Sequence, residues 1–193
     1  MMQKHGFLVG FGLIVVLAAC SGSTLSFSEY GDRLDEIRST YEPRAEAAWV
    51  EYMQLPSPTM DDLEALFDRE AAVRVEIEDA FSGLEPPEEI ADLHALLVEW
   101  LTNLREADQA LATRAAAAGS WDEFSRSAEY RAYESTLVGG SGVCNDFQLQ
   151  LDATAARGVF AETPWMPGDL KDMADAVIGC DTIPDSLDAA LGR

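Results

Sequence analysis

The sequence predicts an all-α protein: an antiparallel four-helix bundle followed by a tail with one short extra helix. Apolar residues recur at three- and four-residue steps through four long stretches, the pattern of helices that bury one face, and no stretch reads as a strand. The stretches are linked by only a few residues each, and short links favour antiparallel neighbours.

The first helix is expected from about Ser28 to Leu55, on a stripe of Tyr30, Leu34, Ile37, Tyr41, Ala45, Ala48, Tyr52 and Leu55. Pro43 falls inside it and should kink it or restart it near Glu42, because proline lacks the amide hydrogen and crowds the preceding turn. Pro56-Ser57-Pro58 ends this helix, and Thr59 with Asp62 caps the second, whose stripe is Met60, Leu63, Phe67, Val73, Ile77 and Phe81. Gly83 followed by Leu84 resembles a left-handed Schellman ending. Pro86-Pro87 sets the start of the third helix, which carries Ile90, Leu93, Leu97, Trp100, Leu104, Ala107, Leu111 and Ala118 and runs to Gly119. Ser120-Trp121-Asp122-Glu123 reads as a full capping box opening helix four. Gly139-Gly140-Ser141-Gly142 should break that helix before it resumes to Gly158, and a Pro/Gly/aromatic loop then leads to a short helix over Asp169 to Ile178.

Ahead of the bundle, Lys4 precedes a short apolar run from Gly6 to Val16, the grammar of an export signal. The run is too short to span a bilayer, which takes about 20 apolar residues. Leu17-Ala18-Ala19-Cys20 resembles the lipobox of bacterial lipoproteins: an aliphatic residue, two small residues, then cysteine. That resemblance implies cleavage of 1–19, diacylglycerol on the Cys20 sulfur, and a chain held by its lipid at the extracytoplasmic face of a bacterial membrane. A Ser/Gly tether over 20–27 would keep the bundle, 28–158, close to the bilayer, with 159–193 as the tail. With Cys20 taken by lipid in an oxidising compartment, Cys144 and Cys180 remain to form a disulfide that staples the tail. The plan also resembles, loosely, small uncharacterised helical lipoproteins of high-GC bacteria, a likeness that implies fold and disulfide but no activity.

Composition narrows the partners. A formal net charge of −22, one unit more negative once Lys4 is removed, opposes binding to nucleic acid or flat contact with an anionic bilayer. Chemistry-bearing motifs are sparse. His94 is the only histidine after the signal and has apolar neighbours three and four residues away, so a histidine metal site is not expected; His94 should flank the core with its ring partly wet. Gly140-Ser141-Gly142 lacks the glycine spacing of a nucleophile elbow. Glu76, Glu78, Asp79, Glu85, Glu88 and Glu89 crowd one corner with no basic residue among them, a candidate patch for a divalent cation or a cationic partner. Trp165, between Pro164 and Pro167, should pin the tail, with a recognition loop as the alternative. No cofactor and no catalytic residue is expected. The function expected is non-catalytic binding by a lipid-anchored module, the alternatives being a hydrolase-like envelope enzyme that uses carboxylates inside the bundle and a divalent-cation-binding protein.

Overall fold

The computed structural model describes residues 24–180 and 186–192. The signal over 1–19, the lipobox cysteine Cys20 and the first residues of the tether lie outside them. The described chain is a helical bundle: α1 Phe27–Met53, α2 Met60–Ser82, α3 Ala91–Ala117, the short α4 Trp121–Ser125, α5 Ala128–Ala156, α6 Met166–Ile178 and α7 Leu187–Ala190. No strand occurs among the described residues, and no helix among them is long and apolar enough to cross a membrane.

At α1, α2, α4, α5 and α7 a side chain satisfies an orphan amide, whereas α3 and α6 start without a side-chain cap. Ser26 and Glu29 form a reciprocal capping box at α1, and Thr59 and Asp62 do the same at α2. At α4 the box is only half made: Ser120 accepts from the Glu123 amide, but the Glu123 carboxylate reaches past it to the Gly119 amide, 3.1 Å away, and to Arg114. The chain then stops after one turn, and Ser127 caps α5 by accepting from the Tyr130 amide at 3.0 Å. Helix four therefore begins at Ala128 rather than at the Ser120 cap.

Three further expectations need correction. Of the two outcomes open at Pro43, the restart near Glu42 does not occur: α1 runs through the proline. The half beyond the proline is held by tertiary contacts: Ala48 and Tyr52 are buried, Arg44 grips Glu76 of α2 through two bonds of 2.7 and 2.8 Å, and Glu51 pairs with Arg69. Gly83 ends α2 in a right-handed conformation with φ −75°, since 3₁₀-type bonds such as Leu84 N to Phe81 O satisfy the last carbonyls and two prolines then stop the chain. Left-handed glycines follow α5, α6 and α7 instead, at Gly158, Gly179 and Gly192, and Gly179, φ 77°, closes α6 with a 2.7 Å bond to the Asp175 carbonyl.

The glycine tract is the third. α5 continues through Gly139-Gly140-Ser141-Gly142 without a break, because Tyr133, Phe147 and Leu151 on either side are buried and the disulfide at Cys144 anchors the far half. Packing overrides propensity here. A Cβ added at Gly139 or Gly142 would meet nothing within 4 Å. Each glycine-to-alanine change should therefore stabilise the protein by about 0.5–1 kcal/mol, read as a higher urea midpoint; a lower midpoint would mean that the tract needs its flexibility.

α2 and α3 share the most extensive interface; α3 also packs on α5, and α1 on α2. α1 and α5 barely touch. α6 lies where they would have met, packed on α1, α5 and α3, and it is fixed there three ways. Cys180 just beyond its cap is bonded to Cys144 of α5, as expected. Tyr130 of α5 donates to Asp188 of α7 at 2.7 Å, tying down the tail behind α6. Trp165 at its start lies over Gly31 of α1, where a Cβ would come within 2.7 Å of the ring, so this tryptophan pins the tail although it is 43 % exposed.

Candidate functional site

The heptad rhythm of α2 places two charged residues where core residues belong. Leu63, Phe67, Glu70, Arg74, Ile77 and Phe81 follow one another at steps of four and three, so Glu70 and Arg74 face inward with the aromatic and aliphatic members of the row. Asp108 of α3 meets them. Glu70 is 1 % exposed and Asp108 0 %. Arg74 lies between them, its Nε donating to Asp108 Oδ2 at 2.5 Å and its Nη2 to Glu70 Oε2 at 3.2 Å. Tyr133 of α5 completes the cluster; burial first, and then the Asp108 charge, raises the pKa of its hydroxyl far above the ordinary phenol value.

This cluster is unbalanced, with two carboxylates and one guanidinium. Removing charges from water is costly unless they are paired, and a buried acid left over takes up a proton instead. Burial raises both carboxyl groups, with Arg74 opposing the shift in each; Glu70 is pushed up to about 7. Asp108 holds the shorter bond to Arg74, so Glu70 is the group that carries the proton. The Glu70 Oε1 and Asp108 Oδ1 atoms make no hydrogen bond among the described residues, although Trp49 and Tyr133 lie near enough to Glu70 and Asp108 respectively to oppose the rise in their pKa.

Glu70 and Arg74 also line a cavity of about 470 Å³. It lies between α1 and α6, with α2, α3 and α5 also contributing to its lining. Tyr41, Ala45 and Trp49 of α1 form one wall, Val177 and Ile178 of α6 the other, and Leu101 and Leu104 of α3 the floor. Such a volume with an apolar lining and a few polar groups is typical of small-molecule sites. A larger hollow of about 580 Å³ opens between the first half of α1 and the end of α2, but its charged members Arg33, Glu36 and Glu85 are all exposed. It presents no buried group to orient a ligand.

The acidic corner is dispersed. Glu76 turns to α1 and its Arg44, while Glu78 turns to α3, bonding Arg105 at 2.5 Å and Thr102 at 2.8 Å. The corner thus has basic partners that are distant in sequence. Asp79, Glu85, Glu88 and Glu89 are exposed, and no group of three or more His, Cys, Asp or Glu side chains converges on a possible metal position among the described residues.

His94 lies deeper than expected, 8 % exposed, stacked on Phe81 with ring centroids 4.4 Å apart and with Nδ1 3.0 Å from the Tyr30 hydroxyl. Burial lowers its pKa to about 4. The unfolded chain therefore binds that proton first, and stability conferred by His94 is lost as pH falls from 6.5 towards 4. Glu70 acts in the opposite sense: its folded pKa is raised, so its contribution is full below 4.5 and is lost as pH rises to about 7. The two slopes offset each other in the wild type. Glu70→Gln should expose that of His94, with a loss on the order of 2 kcal/mol between pH 6.5 and 4.5 in denaturant titrations. A profile no steeper than that of the wild type would contradict this pairing of buried groups.

Reading the sequence missed Glu70, Arg74 and Asp108, although the α2 stripe held a signal: the run of apolar residues skips from Phe67 to Val73, the inward position passed over is Glu70, and Arg74 follows it one turn later. Compared with known proteins, the chain matches no family model, no curated protein and no solved structure.

Proposed function

We propose that the protein is a lipid-anchored, extracytoplasmic binding module that holds a small molecule between α1 and α6. The finer architecture in this reading is an antiparallel four-helix bundle of α1, α2, α3 and α5, with α6 as a fifth helix wedged between the first and the last. The short links over 54–59 and 83–87 support it. The anchor rests on Leu17-Ala18-Ala19-Cys20 alone: labelled palmitate should enter the wild type and not Cys20→Ser, and equal labelling of both would overturn it.

Binding rests on one observation, a roomy cavity with a buried and incompletely bonded carboxylate in its wall. A filled core would leave no room for a ligand. Native mass spectrometry of the full chain, released from its own envelope in non-ionic detergent, should show a retained small-molecule mass that denaturation removes. A bare protein mass under gentle release would count against a resident ligand. The same Glu70 favours a second reading, since a carboxyl group titrating near neutrality inside a cavity suits general acid–base catalysis. A ligand recovered chemically altered after incubation would support that hydrolase-like alternative, and one recovered unchanged supports binding.

A further inference from the structure

Resting on that binding reading, we propose that the cavity takes an organic cation, an ammonium group on an apolar body, with the charged head against Glu70. The buried cluster lacks one positive charge: Glu70 and Asp108 share Arg74, and no other cationic side chain bonds either of them. A bound ammonium supplies that charge and, with a small turn of the Glu70 carboxylate toward the cavity, donates to its Oε1 atom, to which no hydrogen bond is made in the described protein.

The surroundings select the same chemistry. The charged groups facing the cavity are Arg38, Glu42 and Glu46 from α1, Glu70 and Arg74 from α2, and Asp175 from α6, with the Tyr133 phenol from α5; Asp108 of α3 stands behind. Acids outnumber bases, and both arginines already have carboxylate partners, Arg38 with Asp35 at 3.2 Å and Arg74 with Asp108 and Glu70. An anion would meet a negative wall with no uncommitted guanidinium. A metal ion would fare poorly too, since a hard divalent cation takes six or more oxygen ligands and no such group converges here. An organic cation needs one carboxylate for its head, aromatic faces such as those of Tyr41 and Trp49 beside it, and aliphatic lining for its body, which Leu101, Leu104 and Val177 provide. In the empty protein a proton on Glu70 takes the place of the missing cation, so binding must expel it.

The test uses three probes of one shape on the full chain in non-ionic detergent: 4-phenylbutylammonium, neutral 4-phenylbutanol and anionic 4-phenylbutyrate, by calorimetry at pH 7. The ammonium should bind roughly tenfold or more tighter than the alcohol, and the butyrate weakest. Heats in two buffers of different ionisation enthalpy should show about half a proton released per ammonium bound, as expected for an acid titrating near 7. Glu70→Gln, which keeps the shape and removes the charge, should abolish both the preference and the proton release while still binding the alcohol. If alcohol and ammonium bind equally to the wild type, or the butyrate binds best, the cation assignment fails while the cavity stands as a binding site. If none of the three gives heat and none shifts the melting temperature, both the assignment and the binding reading fall. Should Glu70→Gln melt early, proton release by the wild type alone still decides: ammonium bound without release overturns the assignment.

Discussion

Arg74→Met should destabilise the protein by about 3–5 kcal/mol at pH 7.5, the range seen when one member of a buried ion cluster is removed and the others remain. Methionine fills much of the volume of the arginine stem, so the loss is electrostatic rather than a cavity effect. Glu70 and Asp108, 1 % and 0 % exposed, would then face each other without the guanidinium that bonds both. Lowering the pH protonates the pair, and the deficit should shrink by at least half at pH 5. Urea titrations at the two pH values read this directly. A loss below about 1 kcal/mol at pH 7.5, or one independent of pH, would mean that the carboxylates are hydrated and not buried together.

Breaking the Cys144–Cys180 disulfide has the second largest expected effect. The bond spans a sequence separation of 36 residues, and the chain-entropy model assigns such a loop roughly 3–4 kcal/mol, a figure reduced by any strain in the native bridge. Loss of the bond also frees the end of α6, whose Val177 and Ile178 form one wall of the cavity. The double variant Cys144→Ala with Cys180→Ala should therefore unfold at lower urea and bind the probe amine more weakly even under conditions where it is folded. Undiminished binding in the folded double variant would show that the Tyr130–Asp188 bond and the Trp165–Gly31 contact hold α6 without the bridge.

What was legible in the sequence was whatever depends on local chemistry. Thr59 with Asp62 announced α2, and the stripes of α1 to α3 announced which faces are buried, because capping and helical periodicity act within a turn or two. The errors came where distant contacts overrule local preference. Pro43 left a restart of α1 open and the Gly139–Gly142 tract read as a break, yet helices run through both, their flanking residues held by α2, α3 and the disulfide. The acidic corner read as lacking basic partners because Arg44 and Arg105 come from other helices. Glu70 and Arg74 left a gap in the apolar rhythm of α2 that could have been read as inward charge, but pairing with Asp108 required knowing how α2 packs on α3. The cavity was not legible at all, since its lining comes from helices distant in sequence, α1, α2, α3, α5 and α6 among them.

The state of Glu70 in the empty protein tests the account most directly. With ¹³C label in the glutamate carboxyl groups and Glu70→Gln to assign the signal, its carboxyl shift can be followed against pH by NMR. A midpoint near 7 that drops into the ordinary glutamate range when 4-phenylbutylammonium is added is the predicted result. A midpoint near 4.5 in the empty protein, unmoved by the amine, would contradict both the buried charge imbalance and the site built on it.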